Sequence, residues 1–194
     1  MDEKVKKTVE AALRTHKQML SRFESDALET IAAAAELITT TIKQKNRIFI
    51  CGNGGSAADA QHIAAELLGR FERERPALPA VALTTDTSTI TSIANDYGYH
   101  TVFARQVQAL VDAKDLLWAI STSGTSPNVV NAAELAKKKG ARVLAFTGRK
   151  NSKLEQIADI CLCAGDNSAA RSQEIHQLAY HIICDLVEQN FADL

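Results

Sequence analysis

The sequence predicts an α/β fold in which helices cover both faces of a parallel, five-stranded sheet. Segments typical of strands alternate with segments typical of helices, and such connections join parallel strands through right-handed crossovers. The strand segments "RIFIC", "DLLWAI" and "RVLAF" are apolar almost throughout, as expected of strands that are buried on both sides. A long stretch without Gly or Pro precedes this alternation and adds helices at the amino-terminal end.

Each element follows from its own pattern, in chain order. Residues 2–44 have apolar positions at helical spacing, which predicts two helices. The strands expected after them are 47–51, 79–84, 115–120, 142–147 and, with a weaker pattern, 158–163, and the helical segments are 56–69, 88–111, 127–139 and 168–191. We divide the chain into a helical segment for oligomerisation, residues 1–45, and a domain that contains the sheet, residues 46–194. The helical segment needs a surface to cover its apolar face, either another subunit or its own domain.

The composition excludes several classes of protein. Apolar residues make up 46% and charged residues 23% of the 194 residues, as in ordinary globular proteins. A formal net charge of −1 gives no basic field for nucleic acid. The charged amino terminus has no signal-peptide core, and no run of about 18 uncharged apolar residues could span a bilayer. The four cysteines have no metal-binding or redox spacing. We therefore expect a cytoplasmic protein without nucleic-acid or membrane partners.

Two loops follow predicted strands at the edge where doubly wound sheets bind ligands. The first, "GNGGS", has three glycines within four positions, which indicates a close approach of the backbone to a ligand. The second, "STSGTSPN", places five hydroxyl side chains around Gly124. A helix cap requires only one hydroxyl, whereas several hydroxyls beside free backbone N–H groups form a cradle for an anion. This loop predicts a phosphate site.

A nucleotide site is the competing interpretation of the first loop. The stretch "GNGGSA" matches Gly-x-Gly-x-x-Ala, a variant of the dinucleotide-binding pattern. The acidic residue expected about 20 positions further on is missing there, because Asp86 lies 32 residues past Gly54. No Gly-Lys-Ser/Thr follows either, which excludes a P-loop. We expect no nucleotide cofactor.

Two predicted helices carry side chains that could move protons. His62 and Glu66 are four residues apart and share one face of the helix after the first loop. An ordinary surface pair would have the same spacing. The final helix adds Gln173, Glu174, His176 and His181, although a histidine in an apolar helix is commonly a core residue. A carboxylate and an imidazole that converge on a sugar phosphate would form an acid–base pair.

Four stretches together resemble the sugar isomerase (SIS) family over essentially the whole chain. They are "CGNGGSAADAQHIAAEL", "TTDTSTITSIANDYGY", "AISTSGTSPNVV" and "RSQEIHQLAYHIICDLVE". The resemblance implies a single SIS domain built as a Rossmann-like αβα sandwich, and a homotetramer. It is strongest to members that convert sedoheptulose 7-phosphate to D-glycero-D-manno-heptose 7-phosphate through an enediol. That reaction begins the synthesis of ADP- or GDP-heptose precursors for lipopolysaccharide or other surface glycans.

The resemblance also implies roles for individual residues. Glu66 and His181 match the catalytic carboxylate and histidine. The substrate contacts that it implies are Asn53, Gly54, Gly55, Ser56, Glu66, Asn95, Asp96, Ser121, Thr122, Ser123, Ser126 and Gln173. Some members bind zinc, one ion per subunit and optionally, at positions that correspond to His62, Glu66, Gln173 and His181. Eight residues of helix rise about 12 Å, so Gln173 either precedes the final helix or reaches the ion from another subunit.

A second function comes from another SIS relative, which binds the bacterial replication initiator and is not an isomerase. This chain resembles that relative in "RFERERPALPAVAL" and in its Ser-Ala-x-Arg-x-Gln-Glu pattern. The relative lacks the carboxylate and the histidine that Glu66 and His181 would supply, so their presence favours the enzyme. Ser172 stands where relatives often have isoleucine, a departure that concerns local packing more than chemistry.

Overall fold

The computed structural model describes residues 1–192 and contains one all-parallel sheet of five strands. The strands are β1 (Ile48–Gly52), β2 (Ala80–Ala82), β3 (Leu116–Ser121), β4 (Arg142–Thr147) and β5 (Ile160–Cys163). They are ordered β2-β1-β3-β4-β5, and each pairs in parallel with its neighbours. The five-stranded parallel sheet predicted from the sequence is confirmed.

Eight α-helices and one 3₁₀ turn are present in residues 1–192. The helices are α1 (Glu3–Asp26), α2 (Leu28–Lys43), α3 (Gly55–Leu68), α4 (Thr87–Tyr97), α5 (Val102–Leu110), α6 (Pro127–Lys138), α7 (Lys153–Ile157) and α8 (Ala169–Gln189), and the 3₁₀ turn is Tyr99–Thr101. The two amino-terminal helices were predicted. The helical segment predicted over 88–111 is observed as α4, the 3₁₀ turn and α5, and Gly98, with a φ of +86°, ends α4.

Two further details differ from the sequence-based prediction. Strand β2 covers three residues rather than the six of 79–84. Helix α7 was not predicted, although a capping box formed by Ser152 and Glu155 marks its start. Both elements are short, and hydrophobic periodicity cannot be recognised over so few residues.

Apolar side chains alternate across the sheet and form a separate core on each face. Ile48, Ile50 and Trp118 belong to the core that also contains residues from α1, α2, α3 and α8. Phe49 and Leu117 belong to the opposite core, which contains residues from α5 and α6. The sheet is therefore the middle layer of an αβα sandwich, as the sequence predicts.

The amino-terminal helices pack on the same domain as the sheet. Phe23, Ile31 and Ile38 are buried in the core that contains the inward side chains of β1 and β3. Val5 and Val9, in the first half of α1, remain exposed. The segment thus covers its own domain with its second half, and the boundary at residue 45 stays a prediction.

The strand order places the two unusual loops next to each other. From β1 the chain goes to β2 on one side, while β3 pairs with the other side of β1. The carboxyl ends of β1 and β3 are in register, with Gly52 opposite Ile120. Such a reversal of strand order opens a crevice that binds ligands in doubly wound sheets. Across residues 1–192, no helix is both long and apolar enough to cross a membrane.

Candidate active site

A pair of asparagines joins the two loops at this crevice. Asn53, after β1, donates to Asn128 Oδ1 at 2.9 Å, and Asn128, in the first turn of α6, donates back to Asn53 Oδ1 at 2.8 Å. The hydroxyl of Tyr99 also donates to Asn53 Oδ1, at 3.0 Å. Asn53 was predicted, whereas Asn128 and Tyr99 were missed. Asn128 closes the stretch "STSGTSPN", which was the available signal.

The serine hydroxyls of the second loop converge on one another. Ser121 Oγ lies 3.0 Å from Ser126 Oγ and 3.3 Å from Ser123 Oγ. Ser126 is the N-cap residue of α6, but its side chain makes no capping hydrogen bond. The Thr122 carbonyl accepts from the backbone N–H of Gly148 at 2.9 Å, which fixes the loop against β4. Hydroxyls and the amino terminus of α6 therefore meet at one point, an arrangement suited to an anion.

The first loop depends on its glycines. Gly54 has a φ of +55°, a conformation that favours glycine. A Cβ atom on Gly55 would lie 2.5 Å from Nε2 of Gln173, so the α8 amide rests directly on this loop. Ser56 is buried at the start of α3. Gln173 is inside α8, and the alternative in which it precedes the helix is wrong.

The ionisable side chains meet in the helical layer on one face of the sheet, where α3 packs against α8. His62 Nε2 lies 2.8 Å from Glu66 Oε1, and His62 Nδ1 lies 2.9 Å from the Tyr180 hydroxyl. The His181 ring centroid is 5.0 Å from that of His62. We call His62, Glu66 and His181 the acid–base cluster. All three residues are partly buried, and His62 and Glu66 form a pair that also contacts α8.

Hydrogen bonding assigns the tautomer of His62. A carboxylate only accepts, so Nε2 carries the proton and donates it to Glu66. Nδ1 then accepts from Tyr180, which directly precedes His181 in the sequence. Tyr180 was missed because its role depends on the packing of α8 against α3. The chain Tyr180–His62–Glu66 fixes the orientation of the Glu66 carboxylate.

The surroundings change the pKa of two neighbouring groups. Burial lowers the pKa of His181, and the nearby His62 lowers it further, which outweighs the opposite effect of Glu66. A neutral imidazole that can accept a proton is the result. Burial raises the pKa of Asp59, one turn before His62 on α3, to about 6, and His62 opposes that rise. Asp59 shares the face of α3 that carries the cluster, a spacing that sequence reasoning overlooked.

The acid–base cluster also has the donor set of a metal site. One ligand atom from each of its three residues lies within 4.8 Å of the other two. The Nε2 atom of His181 is buried and has no hydrogen-bond partner among the described residues, so it is available to bind a metal ion. Two imidazoles and a carboxylate are ligands that zinc accepts. The geometry therefore supports a metal site at this cluster.

Asn95 and Asp96 are placed apart from these groups. Both are exposed in the last turn of α4, where Asn95 Nδ2 donates to Asp96 Oδ1 at 2.8 Å. No hydrogen bond recorded for residues 1–192 joins either side chain to the two loops or to the acid–base cluster. Their role as substrate contacts stays a prediction.

Comparison with known proteins identifies the family of this chain. A model of the SIS domain matches residues 13–148. The chain belongs to the SIS domain family. It is 47% identical over 177 residues to the phosphoheptose isomerase of Helicobacter pylori, covering 91% of this chain and 92% of the relative. It is 50% identical over 186 residues to that of Thiobacillus denitrificans, covering 89% and 94%.

Solved structures support the same relationship. The phosphoheptose isomerase of Neisseria gonorrhoeae matches with a TM-score of 0.90 and 41% identity, over 95% of this chain and 99% of that one. That of Francisella tularensis matches with a TM-score of 0.91 and 36% identity. These relatives support the isomerase of the two functions considered from the sequence and give no support to a replication partner.

Proposed function

We propose that this protein is an aldose–ketose isomerase that converts sedoheptulose 7-phosphate to D-glycero-D-manno-heptose 7-phosphate. The observation that carries the proposal is the acid–base cluster of His62, Glu66 and His181 in a chain 41–50% identical, over about nine tenths of its length, to three phosphoheptose isomerases. The product would begin the route to nucleotide-activated heptose for lipopolysaccharide or other surface glycans.

The second loop would hold the phosphate of the sugar. Ser121, Ser123 and Ser126 offer hydroxyl donors, and α6 adds backbone N–H groups and the positive end of its dipole. Asn53 and Gln173, on the neighbouring loop and on α8, can bind sugar hydroxyls. Holding the unreactive end of the substrate lowers the barrier by fixing the orientation of the reacting end.

Glu66 and His181 would then share the proton transfers. The ketose loses a proton from C1, its C2 carbonyl oxygen gains one, and the enediol forms. Return of a proton to C2, with loss of the proton on the C1 oxygen, gives the aldose. Glu66 on α3 and His181 on α8 face the same space. One of them would exchange the proton on carbon, and the other would move protons between the two oxygens. His62 holds Glu66 in place for this work.

Zinc is the metal that we propose for this cluster, held by His62, Glu66 and His181. When bound, zinc would polarise the sugar oxygens as a Lewis acid. Gln173 joins the set only from another subunit, because about 12 Å of helix separates it from His181 in its own chain. Protons and metal compete for the same atoms, so zinc binding weakens as the pH falls.

Metal content tests the zinc proposal without an activity assay. Protein equilibrated with zinc and then desalted should retain about one ion per chain. The variant His62→Gln should retain almost none, whereas His100→Gln, which changes an exposed histidine outside the cluster, should behave as the wild type. Equal zinc in His62→Gln and the wild type would contradict the site.

The exposed apolar side chains of the helical layer support a homotetramer. An apolar groove between α1, α2 and α8 has a volume of about 330 Å³. Its lining includes Leu20, Leu28, Leu178 and Ile182, all partly or largely exposed in the single chain. Apolar surface of this kind is typical of subunit contacts. Light scattering after size exclusion should give four times the 21.0 kDa chain mass; a monomer would contradict the proposal.

The cytoplasm is the compartment we propose, with the phosphosugar as the partner. All four cysteines, Cys51, Cys161, Cys163 and Cys184, are free thiols, as expected in a reducing compartment. Nucleic acid and membrane are not among the proposed partners.

Turnover of sedoheptulose 7-phosphate is the deciding experiment. The purified protein, with and without added zinc, should form the aldose product, which is followed by a discontinuous sugar assay or by NMR. Sedoheptulose without the phosphate is the matched control substrate. It should react far more slowly, because the second loop, residues 121–126, which we call the serine loop, then has no phosphate group to bind. Absence of turnover under both metal conditions would contradict the proposed function.

A further inference from the structure

A buried ion pair lies beneath the acid–base cluster. Arg75 and Glu188 have side chains that are 1% and 0% exposed, with Nε and Oε1 3.3 Å apart. Arg75 belongs to the segment between α3 and β2, residues 69–79, which we call the α3–β2 segment. Glu188 is on α8, seven residues after His181. Two charges are seldom removed from water unless further hydrogen bonds compensate them, so their partners indicate what the pair does.

Glu188 fixes the start of the α3–β2 segment. Its carboxylate accepts from the backbone N–H groups of Phe71, Glu72 and Arg73 at 2.8, 2.7 and 2.7 Å. Burial alone would raise the pKa of Glu188, but these donors and Arg75 hold it below its usual value. The carboxylate is therefore charged near neutral pH and ties three consecutive residues of the segment to α8.

Arg75 fixes the end of α3. Its guanidinium donates to the backbone carbonyls of Glu66 and Leu67, each at 2.7 Å, and of Gly69 at 3.0 Å. The last carbonyls of a helix have no partner within the helix, and a cation there also suits the helix dipole. One of the carbonyls bound in this way belongs to Glu66 itself. The position of the proposed catalytic carboxylate is thus set partly by Arg75.

The same segment also contacts the other proposed catalytic side chain. The ring of Phe71 lies 5.5 Å from the ring of His181, centroid to centroid. Phe71 is held by its own N–H bond to Glu188. The ion pair is therefore connected to Glu66 by the hydrogen bond of Arg75 to its carbonyl. It is connected to His181 by Phe71, which binds Glu188 and contacts the His181 ring.

We propose that Arg75 and Glu188 are positioning residues that hold Glu66 on α3 and His181 on α8 at the separation that isomerisation requires. This proposal rests on the proposed function for its kinetic part. Within residues 1–192, no hydrogen bond or ion pair joins either residue to the serine loop or the asparagine pair. Substrate binding through the phosphate should therefore not depend on them. Their loss should lower kcat and leave KM nearly unchanged.

The variants Arg75→Lys and Glu188→Gln test this directly. Lysine keeps the charge, but its single nitrogen cannot replace the two guanidinium nitrogens that bind the carbonyls of Glu66 and Leu67 separately. Glutamine keeps the shape of Glu188 without the charge. Each should lower kcat at least tenfold with KM within twofold, measured below the thermal midpoint of the variant. Asp185→Asn is the matched control, since Asp185 pairs with Arg73 of the same segment at the half-exposed surface. Its kcat should stay within twofold of the wild type.

Amide hydrogen exchange of peptides covering 60–75 and 178–190 gives a readout that does not depend on turnover. Both regions should exchange faster in Arg75→Lys and Glu188→Gln and not in Asp185→Asn. If the wild type fails to isomerise the sugar, the proposed function fails, and exchange alone decides on positioning. Unchanged exchange, or wild-type kcat in a folded Arg75→Lys, overturns the positioning proposal.

Phe71→Leu keeps the proposal falsifiable if both ion-pair variants fail to fold. It retains the ion pair and loses the ring contact with His181. We expect kcat to fall three- to tenfold with KM unchanged. A kcat equal to that of the wild type would overturn the link to His181 and with it the proposal.

Discussion

The two ends of the candidate site are built from different chemistry. The proposed phosphate end consists of hydroxyls, amides and backbone N–H groups from two loops, and none of these groups titrates near neutral pH. The acid–base cluster uses a carboxylate and imidazoles from two helices, and Glu66 and His181 are 115 residues apart in the chain. Fixed dipoles offer the same donors across the neutral pH range, whereas proton transfer needs groups whose charge can change. Binding and chemistry should therefore respond to different substitutions.

Glu66→Gln should give the largest effect and the clearest separation of the two ends. The substitution keeps the shape of the side chain and removes its ability to accept a proton, so kcat should fall about 10²- to 10⁴-fold. KM should change by less than about threefold, because the serine loop is intact. Steady-state kinetics and circular dichroism measure both quantities. A near wild-type kcat would remove Glu66 from the mechanism.

His176→Gln should change how the stability of the domain depends on pH. His176, on α8, is buried, and its Nε2–H donates to the Thr147 carbonyl at the end of β4 at 3.0 Å. Burial lowers its pKa to about 4, against a smaller rise caused by that bond. The unfolded chain, with a histidine pKa near 6.5, therefore takes up the proton first as the pH falls. The stability that His176 contributes is complete above about pH 6.5 and is lost towards pH 4.

Urea unfolding at pH 7.5 and pH 4.5 measures this effect. The wild type should lose roughly 2 kcal/mol more than His176→Gln between the two pH values. The raised pKa of Asp59 acts in the opposite direction, but it is present in both proteins and cancels in the comparison. Equal losses in the two proteins would show that His176 is accessible to protons in the folded state.

Ser123→Ala should affect the phosphate end alone. A hydrogen bond to a charged group contributes about 1.5–3 kcal/mol, so kcat/KM should fall about 10- to 100-fold, mainly through a higher KM. Ser92→Ala is the matched control, because the Ser92 hydroxyl donates only to the Thr89 carbonyl on the exposed side of α4. A fall in kcat without a change in KM would mean that the two ends are not independent.

Tyr180→Phe should give the smallest effect, at the acid–base cluster. It removes the hydroxyl that donates to His62 Nδ1 and leaves the ring in place. Since a neutral hydrogen bond contributes about 0.5–1.5 kcal/mol, kcat should fall about two- to tenfold. A larger effect on KM than on kcat would place Tyr180 at the substrate rather than behind His62.

The two loops of the proposed phosphate end are easier to recognise in the sequence than the acid–base cluster. Gly54 and Ser121 belong to short contiguous stretches that follow buried strands, and the sheet order brings such stretches together. Glu66 and His181 could be named from the sequence as groups able to move protons, but only the resemblance to a family paired them, because nothing local shows that α3 and α8 meet at those residues. Contacts between distant segments are fixed by packing, which hydrophobic periodicity does not encode.

The same limit explains the residues that were missed. Arg75 and Glu188 read as surface charges in the sequence, since charged residues are rarely buried. Only the fold shows that one binds the end of α3 and the other the start of the α3–β2 segment. Gly98 could have marked the end of α4, because a glycine after a helical run commonly adopts a positive φ.

The outermost strands of the sheet are its shortest, with three residues in β2 and four in β5. A foreign strand can add to a sheet only by pairing with unused backbone groups along such a border. Strands of three and four residues offer a foreign strand few backbone N–H and C=O groups for hydrogen bonding. The short strands at both borders protect the domain from fibre-like association.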